Sequence, residues 1–280
     1  MTSIDLILSP NLRTSSMKTS RLLKDRGGGY EMFLLNFPME MEEIVMELAA
    51  EHLSYDEFID EVGRSNLIPE PQGSWEYLMR PILETLPQLA QRFRNLTICC
   101  YGSLEHEFAS MKVAVRLARL TLRTAIIGEV EFEKWRDILR ASRDVDRNAT
   151  EKEATTILEK TGGKSICISD LGGRHFKRIL KKAGLDVKIQ YVEKFYHFTP
   201  LMILKRKWAR GPVEDEELEE LVRRHVEYVR SYIYRFGNRD RAYYEWVHDK
   251  IPWSRRRFDK EEIELLDRLI SDARETRTYP

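Results

Sequence analysis

The chain has 280 residues with 46 basic and 46 acidic side chains, a formal charge of +0, so no overall field draws it to nucleic acid or to an anionic membrane. Hydrophobic residues make up 42% of it, enough for one sizeable core or two small ones, which excludes disorder throughout. Cys99, Cys100 and Cys167 form an odd set in apolar runs, which argues against an extracellular disulfide framework. No run approaches the roughly 18 apolar residues of a membrane span and no leader pattern opens the chain, so a cytoplasmic protein is expected.

Residues 4–8 read as a first strand stopped by Ser9-Pro10-Asn11, and 15–24 as a short helix broken by Gly27-Gly28-Gly29. A second strand, 30–37, runs into Pro38 and a helical stripe of Met41, Ile44, Val45, Leu48 and Ala49. A short helix at 55–62 precedes an irregular connection over 66–74, after which helical spacing returns over 75–93. A buried strand over 96–101 is followed by Glu105-His106-Glu107, then by helical stretches at 109–127 and 129–139. Asp144 and Asp146 stand before an expected helix at 150–158, with Thr150 as its cap and Glu153 as the reciprocal partner.

The run over 165–185 is the most informative. Ile166-Cys167-Ile168 is a short apolar strand, Ser169-Asp170-Leu171-Gly172-Gly173 a turn, and Phe176, Ile179, Leu180 and Ala183 one face of a helix ending at Gly184. Alternation over 185–192 completes a strand, turn, helix, strand unit. Asp170, Arg174 and His175 would stand at the carboxyl edge of an open sheet, where α/β folds bind ligands, and Gly172 and Gly173 allow close backbone approach. A tight turn with an exposed His175 accounts for the same residues. From about residue 200 the pattern is helical, with Val222, Val226, Val229, Ile233 and Tyr234 on one apolar side and a last amphipathic stretch over 263–270.

Two polar corners, Glu105 to Glu107 and His175, offer residue types for a divalent metal held by Glu105, His106 and His175, or for a general acid and base. A solvated strand end and helix surface fit them as well. Arg143 and Arg147 suit an anionic substrate or a surface ion network. Trp253, Arg255, Arg256 and Arg257 join positive charge to a stacking surface, a pattern for nucleic acid or a protein partner, opposed by the nearby acidic residues.

The segment order resembles the broad TraB, ChaN and erythromycin-esterase-like assemblage. The resemblance is carried by YEMFLLNFPMEMEEIVMEL, RDVDRNATEKEATTIL, KSICISD and LGGRHFKRILKKAGLDV and covers about residues 4–195. It implies an α/β domain with metal-assisted hydrolysis or small-molecule binding, with His175 as the main carried-over residue and Arg143, Asp144 and Arg147 beside it. Asn36 stands where the resemblance expects an acidic residue, and Ser9-Pro10-Asn11 replaces a histidine-bearing turn.

The expectation is therefore an open, mainly parallel α/β sheet flanked by helices over 1–199, with a helical subdomain over 200–280. In the leading reading it is a divergent metal-assisted hydrolase of a small molecule or peptide. His175, Glu105, His106 and Arg174 would be catalytic, with Arg143, Arg147, Asp170, Gly172 and Gly173 at the substrate. The alternative is a catalytically inactive regulatory, protein-interaction or nucleic-acid-binding module, and a structural homo-oligomer is a third class.

Overall fold

Near-continuous runs of apolar side chains along four of five short strands make a sheet that is buried on both faces. The computed structural model describes residues 2–251. In chain order the first elements are β1 (Ser3–Leu8), α1 (Arg13–Arg26), β2 (Met32–Pro38), α2 (Glu42–Ala49), α3 (Tyr55–Arg64), α4 (Gly73–Leu83) and α5 (Leu86–Arg92). There follow β3 (Thr97–Gly102), α6 (Leu104–Ile127), α7 (Phe132–Lys160), β4 (Lys164–Ser169), a 3-10 turn Leu171–His175, α8 (Phe176–Lys182) and β5 (Asp186–Tyr191). The last are α9 (Pro200–Trp208), α10 (Asp215–Tyr228), a π turn Val229–Ile233, the single turn α11 (Tyr234–Phe236) and α12 (Arg239–Lys250).

All pairings in the sheet are parallel, in the order β3-β2-β4-β1-β5. One face presents Ile7, Phe33, Leu35, Ile98, Cys100, Ile166 and Ile168 to α1 through α5, which answer with Leu23, Val45, Phe58, Leu83 and Leu86 among others. The opposite face presents Ile4, Leu6, Leu34, Cys99, Tyr101 and Cys167 to Ala154 and Ile157 of α7 and to Phe176 and Leu180 of α8. The connections after β1 and β2 thus lie on one face and those after β3 and β4 on the other. That is the open α/β architecture expected from the strand and helix order. Gly184, at φ +90°, ends the α8 unit in the left-handed conformation that glycine adopts at least cost.

Two units make up the chain: Met1–Leu117 with Arg140–Tyr196, and Ala118–Leu139 with the residues from His197 onward. The sheet belongs to the first. The second therefore takes 118–139 as well as the C-terminal region, a division that a break near residue 199 did not anticipate, because the two long helices carry residues of both units. Within the second unit, Trp135, Leu204, Leu218 and Val222 are fully buried. The π turn shifts the helical register, so that Tyr232 is buried, stacked at 6.1 Å on Tyr228, and Tyr234 is exposed. Among the described residues no helix is long and apolar enough to cross a membrane.

Candidate functional site

In the strand order above, β1 and β2 send their chain to one face while β4, between them, sends it to the other. This topology opens a crevice at the carboxyl ends of the three strands. A cleft occupies it, lined by Ser9, Pro10 and Asn11 after β1, Asn36 and Phe37 of β2, and Ser169 and Asp170 at the end of β4. Ser16 of α1 and Leu78, Met79 and Ile82 of α4 complete the lining with Leu35 and Ile168. Polar and apolar residues share this lining. Asn36 sits where the register between β2 and β3 shifts, between Leu35 and Pro38, and such irregularities re-aim side chains at sheet ends.

Asp170 is the ionisable residue of that lining. The residue is exposed at the surface, and the protein packed around its carboxyl is the main cause raising it above the usual carboxylate range. The Gly172 amide, donating to Oδ1 at 2.7 Å, pulls the other way, and the Asp146 carboxylate pushes it up again.

Beside Asp170 a charged cluster joins α6 to α7. His106, in the first turn of α6, has Nε2 4.0 Å from Asp146 Oδ1 and Nδ1 3.4 Å from Glu153 Oε1. Asp146 first and Glu153 second hold the imidazole proton, and burial opposes them, with a net rise to about 10. At 4.0 Å the Asp146 contact is an ion pair and not a hydrogen bond, and Nε2 is buried with no hydrogen-bond partner. The Glu153 side chain, 8% exposed, is the closer and drier partner. Burial raises the Glu107 carboxyl too; His106 lowers it, and Glu153 and Asp170 raise it further.

These contacts correct several expectations. No separate helix begins at Thr150, because α7 runs unbroken over Phe132–Lys160 and the Thr150 hydroxyl donates to the Asp146 carbonyl one turn back at 2.8 Å. Glu153 faces His106 instead of closing a capping box. Glu105 points to the surface and pairs with Lys152, and His175 is exposed at the end of the 3-10 turn, next to exposed Arg174. Glu105, His106 and His175 are not gathered into a metal-holding group: among the described residues no three His, Cys, Asp or Glu side chains are placed to hold an ion. The residues present thus do not fit the metal that the family resemblance implies. Arg143 pairs with Asp144 at 3.4 Å and Arg147 with Glu151 at 3.7 Å, both on the exposed side of α7. Trp253, Arg255, Arg256 and Arg257 lie outside the described residues.

Asp146 and Glu153 were missed as site residues because Arg143 to Arg147 reads as a polar break. The signal was present in the spacing of Trp135, Ile138, Leu139, Ser142, Val145, Ala149, Glu153 and Ile157, which continues one helical face without interruption. Asn11, read in sequence as part of a strand stop, and Asn36, both noted as departures from a family pattern, line the cleft.

Comparison of the chain with family models, with curated proteins and with solved structures gives no match.

Proposed function

We propose that the chain is a small-molecule hydrolase of the acid/base type, working in the cleft at the carboxyl ends of β1, β2 and β4, with Asp170 as its proton-transfer group. The observation that carries this reading is the position of Asp170: a carboxyl in the crevice where α/β sheets bind ligands, with its proton held more tightly than usual. Ionised, it takes a proton from water as the water oxygen bonds to the substrate carbonyl. On collapse the carbon to leaving-group bond breaks, and Asp170 returns the proton to the departing oxygen or nitrogen. His106 is a poor base at neutral pH, because its neighbours keep it charged. Its part is to offset the field of Glu107, Glu153 and Asp146 around the site.

Relation to the TraB, ChaN and erythromycin-esterase-like assemblage is part of the same proposal, supported by the α/β order. The three cysteines are unpaired and buried, which fits a reducing compartment such as the cytoplasm. A second reading, a catalytically inactive binding or regulatory protein, is favoured by Asn11 and Asn36. Neutral side chains line the cleft at the first turn and early strand, where the resemblance expects a histidine and an acid.

The test is turnover of p-nitrophenyl acetate, p-nitrophenyl phosphate and an amino-acid p-nitroanilide by the wild type and by Asp170→Asn, with unfolding midpoints recorded for both. Hydrolysis of at least one substrate, lost in a folded Asp170→Asn variant, supports the hydrolase reading. Equal turnover in both proteins would remove Asp170 from the reaction, and none in either favours the binding protein.

A further inference from the structure

The cleft has a chemical character that narrows what it binds. Its lining contains a carboxylate, Asp170, and no lysine, arginine or histidine. Arg13, two residues beyond Asn11, is engaged over the Tyr77 ring, 5.1 Å from its centroid. The carboxylates of Asp146 and Glu107 act on Asp170, and Glu153 lies against His106, the positive charge of this cluster. The local field is therefore negative, which attracts cations and repels anions. Ser16, 6% exposed, also lines the cleft and offers a hydroxyl there. Phe37, Leu78, Met79 and Ile82 add an apolar part of the lining suited to a hydrocarbon body.

We infer that the cleft takes a small cationic, amphipathic molecule, a primary amine on a short apolar body. Its ammonium meets Asp170, its remaining polar edge meets Ser16 and Asn36, and its body lies on Phe37, Leu78, Met79 and Ile82. The inference rests on the cleft being the binding site and names its class of substrate; it does not depend on turnover.

Calorimetric titration of the whole chain with hexylamine, hexan-1-ol and hexanoate at pH 7 tests it, since the three probes share a chain and differ in head-group charge. The amine is expected to bind about 10-fold more tightly than the alcohol, and hexanoate more weakly than either. In Asp170→Asn, where the asparagine still accepts from the Gly172 amide, the amine should lose that advantage. Met79→Lys, at a half-buried position that admits a long side chain, should abolish amine binding and admit hexanoate. Thermal unfolding checks that each variant is folded. Hexanoate binding as tightly as hexylamine, amine preference surviving in Asp170→Asn, or no binding of any probe overturns the inference. Amine selectivity without hydrolysis would remove the hydrolase reading alone, and hydrolysis without amine selectivity would remove this inference alone.

Discussion

His106 Nδ1 stands 3.4 Å from Glu153 Oε1, so that the first turn of α6 is tied to the middle of α7 by a partly dry ion pair. The ring keeps its proton up to about 10 because of Asp146 and Glu153. The folded protein thus holds this proton more tightly than an unfolded chain, whose histidines titrate near ~6.5. The pair's contribution is complete below that lower value and is lost as pH rises through about 10. Urea unfolding followed from pH 6 to 10.5 should show wild-type stability falling across this window. His106→Gln should be flatter there and about 1.5–3 kcal/mol less stable at pH 6, since it leaves Glu153 buried without its charged partner. A variant as stable as the wild type at pH 6 would mean the pair is idle.

Asp170 and Glu107 titrate in the opposite sense to ordinary paired carboxylates. Both carboxyls are raised, chiefly by enclosure in the protein, so the folded state binds their protons more tightly than the unfolded chain. Stability is then greatest below the unfolded carboxylate range and declines as pH climbs through the raised values. Removing either charge should stabilise the protein at pH 7, with Tm rising on the order of 1–3 °C for Glu107→Gln or Asp170→Asn. The gain should vanish near pH 4. Scanning calorimetry at the two pH values decides it: a loss of stability at pH 7 would show that these charges hold the fold together, against a role in which fold stability is given up for chemistry.

The sheet was legible because its inner strands are short apolar runs punctuated by proline or glycine, as in Ile166-Cys167-Ile168 before Gly172-Gly173. Parallel order followed from the helices between the strands. The candidate site was legible in part. Asp170 and His106 were named from their places after two strands, but their partners were not, because His106 meets Asp146 and Glu153 only once a continuous α7 brings residues 40 and more positions away onto one face. Sequence spacing says which residues share a helix face, and does not say which helix lies opposite. Glu105 and His175 were named for their chemical type, and packing turned both outward.

Gly173 tests how tightly the turn after β4 is built. A Cβ there would stand 2.2 Å from Ser169 Oγ and 2.4 Å from Ser169 Cβ, whereas at Gly172 the nearest atom is Asp170 Oδ1 at 2.9 Å. Gly173→Ala must push the 3-10 turn away from the strand end, at a cost of about 1–3 kcal/mol. Gly172→Ala should cost less, since it meets one end of a side chain. Because the displaced turn carries Asp170, the first variant should also weaken whatever the cleft binds. Paired denaturant titrations give the order, and equal midpoints for the two variants would contradict the close approach.

His225 makes the second unit acid-sensitive. The residue is 8% exposed, its Nε2 lies 3.3 Å from Thr121 Oγ1, and its ring meets Trp135 edge to face at 6.2 Å, while Nδ1 is buried with no hydrogen-bond partner. Burial first, and the Lys205 charge second, hold its proton affinity down to about 4. An unfolded chain takes up the proton nearer ~6.5. The stability tied to the neutral ring is therefore present above that value and drains away as pH falls toward about 4. Trp135, fully buried beside it, should report the loss. Once corrected for the slower intrinsic amide exchange in acid, hydrogen exchange within Ala118–Leu139 and α10 should quicken between pH 6.5 and 4.5, alongside a change in tryptophan emission. His225→Leu, which removes the unpaired nitrogen and keeps the apolar contact with Trp135, should abolish that acid response at little cost near neutral pH. The same quickening in the leucine variant would assign the acid response to another group.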